Sequence, residues 1–214
     1  MLPKKQKGLS RLSLFYSKSR VKNIRNKFYS KAQCFRANFS NTSLVNVNFK
    51  GATLTKCSFK NAEFSHVEFL GSNLKKSNFT NAKFKHCVFS AALLKKSNFK
   101  GCTFKNCIFV NTNVNVAKNM NIGEGNRFYS QHPSPVLSGS TMKLFDEMRF
   151  HPKIHNSRVL HLKSGKLNSL TLFSLLERLG EDKVALGLKK LNGSLPYRIV
   201  TANGLCNAID KASR

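Results

Sequence analysis

The chain of 214 residues carries 37 Lys and Arg against 9 Asp and Glu, a formal net charge of +28. That excess excludes an ordinary surface of interspersed charges and points to an anionic partner: nucleic acid, an acidic membrane face or an acidic protein. The length suffices for one large domain or two modest ones with a buried core.

AT-rich codon usage favours Lys, Asn and Phe, but it would raise Glu equally, so it does not account for nine acids. The six cysteines follow no disulfide spacing. There is no run of 18 apolar residues and no apolar segment followed by a cleavage site near the N-terminus. A reducing, cytoplasmic setting is the expectation.

Residues 1–31 hold ten Lys or Arg and no acid, the texture of a basic N-terminal arm. Its candidate anion contacts are Lys4, Lys5, Lys7, Arg11, Arg20 and Arg25. Five serines and the absence of acids also resemble a mitochondrial presequence, which makes the matrix the alternative location. Leu9, Leu12, Phe15 and Tyr16 allow a short amphipathic helix.

From residue 32 to residue 118 the chain keeps a period of five. Every fifth residue from Phe39 to Val114 is Phe, Leu or Val, through sixteen consecutive units. Two residues earlier in each unit, from Ala37 to Thr112, stands only Ala, Ser, Thr, Cys or Val. A helix buries a residue every 3.6 positions and a strand every 2, so neither explains this period. A square coil does: each five-residue unit forms one side, the large residue fills the core and the small one fits beside it. Stacked coils then pair their backbones at ~4.8 Å, and stability is shared between neighbouring turns.

Units such as Ala37-Asn38-Phe39-Ser40-Asn41, Ser77-Asn78-Phe79-Thr80-Asn81 and Ala82-Lys83-Phe84-Lys85-His86 resemble the pentapeptide-repeat pattern A(D/N)LXX, in a Phe-rich form. The resemblance spans roughly Cys34 to Val116. It implies an all-β, right-handed quadrilateral β-helix with four units per coil. Some pentapeptide-repeat proteins modulate DNA gyrase by imitating DNA with an acidic rod. This chain departs from that pattern in the sign of its charge, which makes a topoisomerase role the weaker expectation.

Four units per coil place residues twenty apart above one another. Lys56, Lys76 and Lys96 then form one column and Lys75 with Lys95 the next, flanked by Lys60 and Lys100. Lys85 and Lys105 form another column on the following side. Two ammonium groups ~5 Å apart repel by roughly 0.8 kcal/mol in water, which a fold tolerates and a bound polyanion relieves.

Residues 119–142, rich in Gly and Pro and including "SGS", read as an irregular linker or cap. An α-helical region, 143–214, follows. Leu172, Leu175, Leu176 and Leu179 form one stripe, stopped by Gly180; Val184, Leu188 and Leu191 form a second, and Leu205, Ala208, Ile209 and Ala212 a third. Three short amphipathic helices suit a cap on the open coil, a small bundle or a homodimer interface.

Other chemistry finds little footing. His66 and His86 should stack with Cys87 beside them, yet Cys87 lies on the inward phase, and no CxxC or HExxH motif occurs, so no metal is expected. Asp146, Glu147 and His151 are neighbours only in sequence, and no nucleophile elbow or phosphate loop is present, so neither an enzyme nor a cofactor is expected. Most of the 18 Phe lie on the inward phase. Tyr16, Phe28, Tyr29 and Tyr129 are the exceptions open to base stacking, though packing suits each of them better. The expected function is noncatalytic binding of RNA or DNA with little sequence preference. The alternative is a scaffold or assembly subunit docking an acidic or ribonucleoprotein partner.

Overall fold

In the computed structural model, residues 22–214 are described, and they divide into two compact units meeting at Ser130 and Gln131. The first unit is a parallel β-solenoid of about five turns. Its first side stacks β1 (Asn23–Phe28), β3 (Ser43–Asn48), β5 (Glu63–Ser65), β7 (Lys83–Lys85) and β9 (Thr103–Lys105). The second side continues the ends of β1 and β3 through β6 (Glu68–Leu70), β8 (Val88–Ser90), β10 (Ile108–Val110) and β11 (Arg127–Tyr129). The third side pairs β2 (Gln33–Phe35) with β4 (Thr53–Thr55) and carries on as bridges at Asn73 and Leu93. On the fourth side, single bridges run Asn38, Ser58, Asn78, Asn98 and Lys118. Partners such as Leu44 with Phe64 and Phe84 with Phe104 are twenty residues apart, so four units close each turn as expected.

The five-residue phase becomes ladders of rings inside the coil. Phe39, Phe59, Phe79 and Phe99 stack with centroids 4.7–4.9 Å apart and planes within 5°. Phe64, Phe84 and Phe104 make a second ladder at 4.6–4.9 Å. A third runs from Tyr29 through Phe49, Phe69, Phe89 and Phe109 to Phe128. The ring spacing matches the rise of one strand and lies within the range of favourable aromatic pairs. On the third side Leu54, Leu74 and Leu94 take the rings' place, each 1% exposed or less.

The Asn that precedes many inward residues shapes the backbone. Asn38, Asn73, Asn78 and Asn98 accept hydrogen bonds through Oδ1 from the N–H groups of Ser40, Lys75, Thr80 and Lys100. A short polar side chain that binds its own backbone two residues on favours such a turn.

The solenoid extends beyond the stretch in which the period was counted. β1 falls inside residues 1–31, because Ile24 and Tyr29 continue the inward phase below Cys34; Ile24 is 3% exposed. Lys4, Lys5, Lys7, Arg11 and Arg20, and the helix expected around Leu9 and Tyr16, lie outside the described residues. At the other end, β11 pairs with β10 inside residues 119–142, read as an irregular linker or cap. Its register is Phe109 to Phe128, nineteen residues rather than twenty. That one-residue change hid the strand from a strict count.

The second unit holds four helices around a core of its own. α1 (Gly139–Glu147) replaces the end of the expected linker. Ser138 caps it by accepting from the Thr141 N–H, and Glu181 in turn accepts from the Ser138 backbone and hydroxyl. α2 (Ser169–Leu179), α3 (Glu181–Leu191) and α4 (Ala202–Ser213) follow the three expected stripes. Phe145, Leu175, Val184, Leu188, Leu205 and Ile209 turn their apolar faces toward one another.

Candidate polyanion-binding edge

A square coil needs a sharp corner every fifth residue. Eighteen consecutive corners, from Asn26 to Asn111, adopt positive φ. In this conformation each corner N–H points along the stack: Lys76 donates to the Lys95 carbonyl at 3.1 Å and Asn81 to the Lys100 carbonyl at 2.8 Å. Left-handed backbone suits Gly and, less well, Asn; other L-residues are strained there.

Three of the four corner columns respect that preference more closely. Between the fourth and first sides stand Asn41, Asn61, Asn81 and Gly101. Between the first and second stand Asn26, Asn46, His66, His86 and Asn106; between the second and third stand Lys31, Gly51, Gly71, Ala91 and Asn111. The column between the third and fourth sides is Arg36, Lys56, Lys76 and Lys96, with φ of 55–61°. Four successive coils thus hold a strained cation at the same edge, and all four side chains are exposed.

The sequence-derived candidates distribute around this edge unevenly. Lys75 and Lys95 precede Lys76 and Lys96 on the third side and join the cluster. Lys60 and Lys100 lie across the fourth side, with Thr80 between them. Lys85 and Lys105 lie on the first side, opposite the third, so the structure does not bring them to the edge. Arg25 shares their column, with Val45 and Ser65 intervening.

Acids do little to neutralise the solenoid. Glu63 pairs with Lys83 at 3.1 Å on the first side, and Glu68 is buried and accepts from Asn48 Nδ2 at 2.6 Å. Across the whole chain, residues 1–130 carry 24 Lys and Arg against three acids; residues 131–214 carry 13 against six.

Two neighbours of the edge were not singled out in the sequence. Arg36 continues the Lys column one coil down. Phe35 is one residue off the inward phase, so its ring points outward and is 45% exposed. The Arg36 guanidinium carbon lies 5.1 Å and Lys56 Nζ 4.9 Å from its ring centroid. The signal was available: on a strand, the residue beside the inward Cys34 must face water.

Burial disfavours the thiolate at four of the five inward cysteines, whereas the side-chain hydrogen bond with Cys87 lowers the pKa of Cys107. Burial pushes the Cys34 thiol up to about 12 and Cys57 and Cys102 to about 11, and it raises Cys87 as well. Cys87 Sγ donates to the Phe64 carbonyl inside the coil, while the His66 and His86 rings stack at 4.8 Å outside. Among the described residues no group of three His, Cys, Asp or Glu could hold a metal. In the second unit, a cleft of about 480 Å³ is lined by Met142, Asp146, Arg149, Lys166, Leu167 and Leu172, among others. There Arg149 donates to Asp146 at 2.7 Å, and the Asp146 carboxyl is held below its ordinary range chiefly by that bond.

These features define a parallel β-solenoid with one strained, basic edge. Residues 32–71 match the family profile described as pentapeptide repeats, in eight copies, so the solenoid contains pentapeptide repeats. Residues 59–127 also match the profile of the SV2A/B/C luminal domain. None of the curated proteins compared matches the chain.

Similar solved structures include the pentapeptide repeat protein Rfr23 from the cyanobacterium Cyanothece 51142. It shows 15% identity and a TM-score of 0.31 over 50% of this chain and 63% of its own. HetL, from the cyanobacterium Nostoc sp. strain PCC 7120 and involved in heterocyst differentiation regulation, shows 18% identity and a TM-score of 0.24 over 41% of each chain. A pentapeptide repeat protein of the Arabidopsis thaliana thylakoid lumen shows 20% identity and a TM-score of 0.20, over 59% of this chain and 76% of its own. This chain thus spans less than two thirds of the first two. No helix among the described residues is long and apolar enough to cross a membrane.

Proposed function

We propose that this protein is a noncatalytic binding module whose basic edge engages a polyanion, with nucleic acid the partner that suits it best. The observation that carries this reading is the column Arg36, Lys56, Lys76 and Lys96. The neighbouring corners show that Asn or Gly serves the fold with less strain, yet this column keeps a cation in four coils running. Strain and like-charge crowding retained together at one edge favour a role in binding. A phosphate backbone running along the stack would relieve the repulsion and release counterions.

Contacts of this kind are to phosphates, so sequence preference should be slight. The alternative, a scaffold docking an acidic or ribonucleoprotein partner, would use the same edge. The topoisomerase reading is weaker, because three acids in residues 1–130 make no acidic rod: Glu68 is buried, Glu63 is paired with Lys83 and Glu124 alone is left.

The test is binding to duplex DNA, single-stranded DNA and structured RNA across a salt series. The expected result is sequence-indifferent binding that weakens steeply with salt. Six contacts, from Arg36, Lys56, Lys75, Lys76, Lys95 and Lys96, would give a slope of about −4 on a single strand. Binding absent near physiological salt, or unchanged when Lys56, Lys76 and Lys96 are replaced by Asn, would overturn the reading. Loss of a protein partner alone in that variant would assign the edge to docking.

A further inference from the structure

Resting on the polyanion reading, we propose that the partner is single-stranded nucleic acid, with Phe35 stacking on an unpaired base while the basic edge follows the phosphates. The inward rings from Phe39 to Phe109 are at most 8% exposed, whereas the Phe35 ring is 45% exposed on the third side. It stands at the foot of the outward column Phe35, Thr55, Lys75, Lys95, directly beside the corner column Arg36, Lys56, Lys76, Lys96. From Phe35 to Lys95 is three coils, roughly 14 Å at the rise of one strand. At the 3.4 Å spacing of stacked nucleotides that length serves about four.

The chemistry at Phe35 suits a base better than a bare phosphate chain. Arg36 and Lys56 already lie within about 5 Å of the ring centroid. Such exposed cation–ring contacts are weak and exchangeable. A base that takes one face of the ring releases a cation to the adjoining phosphate, so both partners of the contact gain. Leu93, 46% exposed, lies on the same side three coils along, beside Lys95, and offers a second apolar seat at the far end. A duplex keeps its bases stacked inside and would leave both apolar side chains against its backbone. An inorganic polyanion has no planar ring to offer. Aromatic stacking accepts any base, in keeping with binding of little sequence preference.

The experiment measures binding of three probes by the full chain: a fluorescent single strand of ten nucleotides, in thymidine DNA and uridine RNA versions; a hairpin duplex; and inorganic polyphosphate, which has phosphates but no bases. Phe35→Ala should weaken the single strands by about 5- to 150-fold, the range for one stacked base, with the salt slope unchanged. It should leave duplex and polyphosphate affinities as they were, and Phe35→Tyr should keep single-strand binding. Comparison of the two single strands assigns the source as DNA or RNA, and a preference for either upholds the proposal.

The outward ring contributes little to the core beyond its two cation contacts, so a cooperative melt within about 4 °C of the parent's verifies that the variant is folded. Single-strand affinity unaffected by Phe35→Ala, or equal losses on all three probes, would overturn base stacking and leave the polyanion reading standing. If no probe binds near physiological salt, both readings fall together.

Discussion

Replacing Lys56, Lys76 and Lys96 together by Asn should make the solenoid more stable. Each of these residues holds φ of 55–61°. An ordinary L-residue in that region is destabilised by about 1–2 kcal/mol, and Asn, which occupies the next corner at positions 41, 61 and 81, relieves roughly half of it. Three sites then contribute about 1.5–3 kcal/mol.

The two neighbouring ammonium pairs add about 0.3 kcal/mol each, after screening and splaying of the stems. Loss of the Lys56 contact with the Phe35 ring subtracts about 0.5 kcal/mol. The net gain is about 2 kcal/mol, an increase of about 8 °C in the melting temperature of a unit of this size. Circular dichroism of the β signal during heating reads it directly. Repeating the melt in 1 M salt, where the screening length falls to about 3 Å, removes the repulsive part and leaves the strain. A variant no more stable than the parent at either salt would refute the idea that this edge is strained.

Three further substitutions test the packing. Ser72 Oγ is fully buried with no hydrogen-bond partner, between Ala52 and Ala92 in neighbouring coils, so Ser72→Ala should stabilise by about 1 kcal/mol in urea melts. Ser77 is its opposite: it donates to the Leu54 carbonyl at 2.7 Å and accepts from the Cys57 N–H at 3.0 Å, so Ser77→Ala should lose about 1–3 kcal/mol. In the second unit, a Cβ on Gly187 would meet the Ile209 carbonyl oxygen at 2.5 Å. Gly187→Ala should therefore destabilise despite its better helix propensity, read as faster hydrogen exchange across residues 181–213.

The second unit should also weaken in mild acid. His161 is 5% exposed, and burial lowers its pKa below the ordinary value of 6.5 despite its hydrogen bond to Asp146 at 3.2 Å. Below pH 6.5 the unfolded chain takes up a proton that the folded one refuses, so stability falls as pH drops through that value. Asp146, whose pKa is lowered, loses its contribution only at more acid pH. Unfolding at pH 5–7.5 should show the slope in the parent and not in His161→Gln.

By itself the sequence determined the coil. A bulky residue at every fifth position and a small one two before it point to a coil with one unit per side, and the super-period of twenty makes that coil four-sided. The same logic located α2, α3 and α4, whose apolar stripes are long enough to show a period of 3.6. Where a pattern is short or slips, the reading stopped. β11 is offset by one residue from the twenty-residue register, the coil of β1 has Ile24 within the strand and Tyr29 just after it in place of the usual Phe, and α1 is a nine-residue helix whose cap depends on Glu181, 43 residues away.

Only the tertiary structure decided which lysines belong together. Columns twenty apart were legible, but the corner geometry separates Lys56, Lys76 and Lys96 from Lys85 and Lys105 by a full side of the square. It also shows that the first set stands in left-handed backbone, a property of how each N–H must reach the next coil. The approach of Arg36 and Lys56 to the outward ring of Phe35 was decided in the same way, because closing the coil sets Lys56 one turn away beside it.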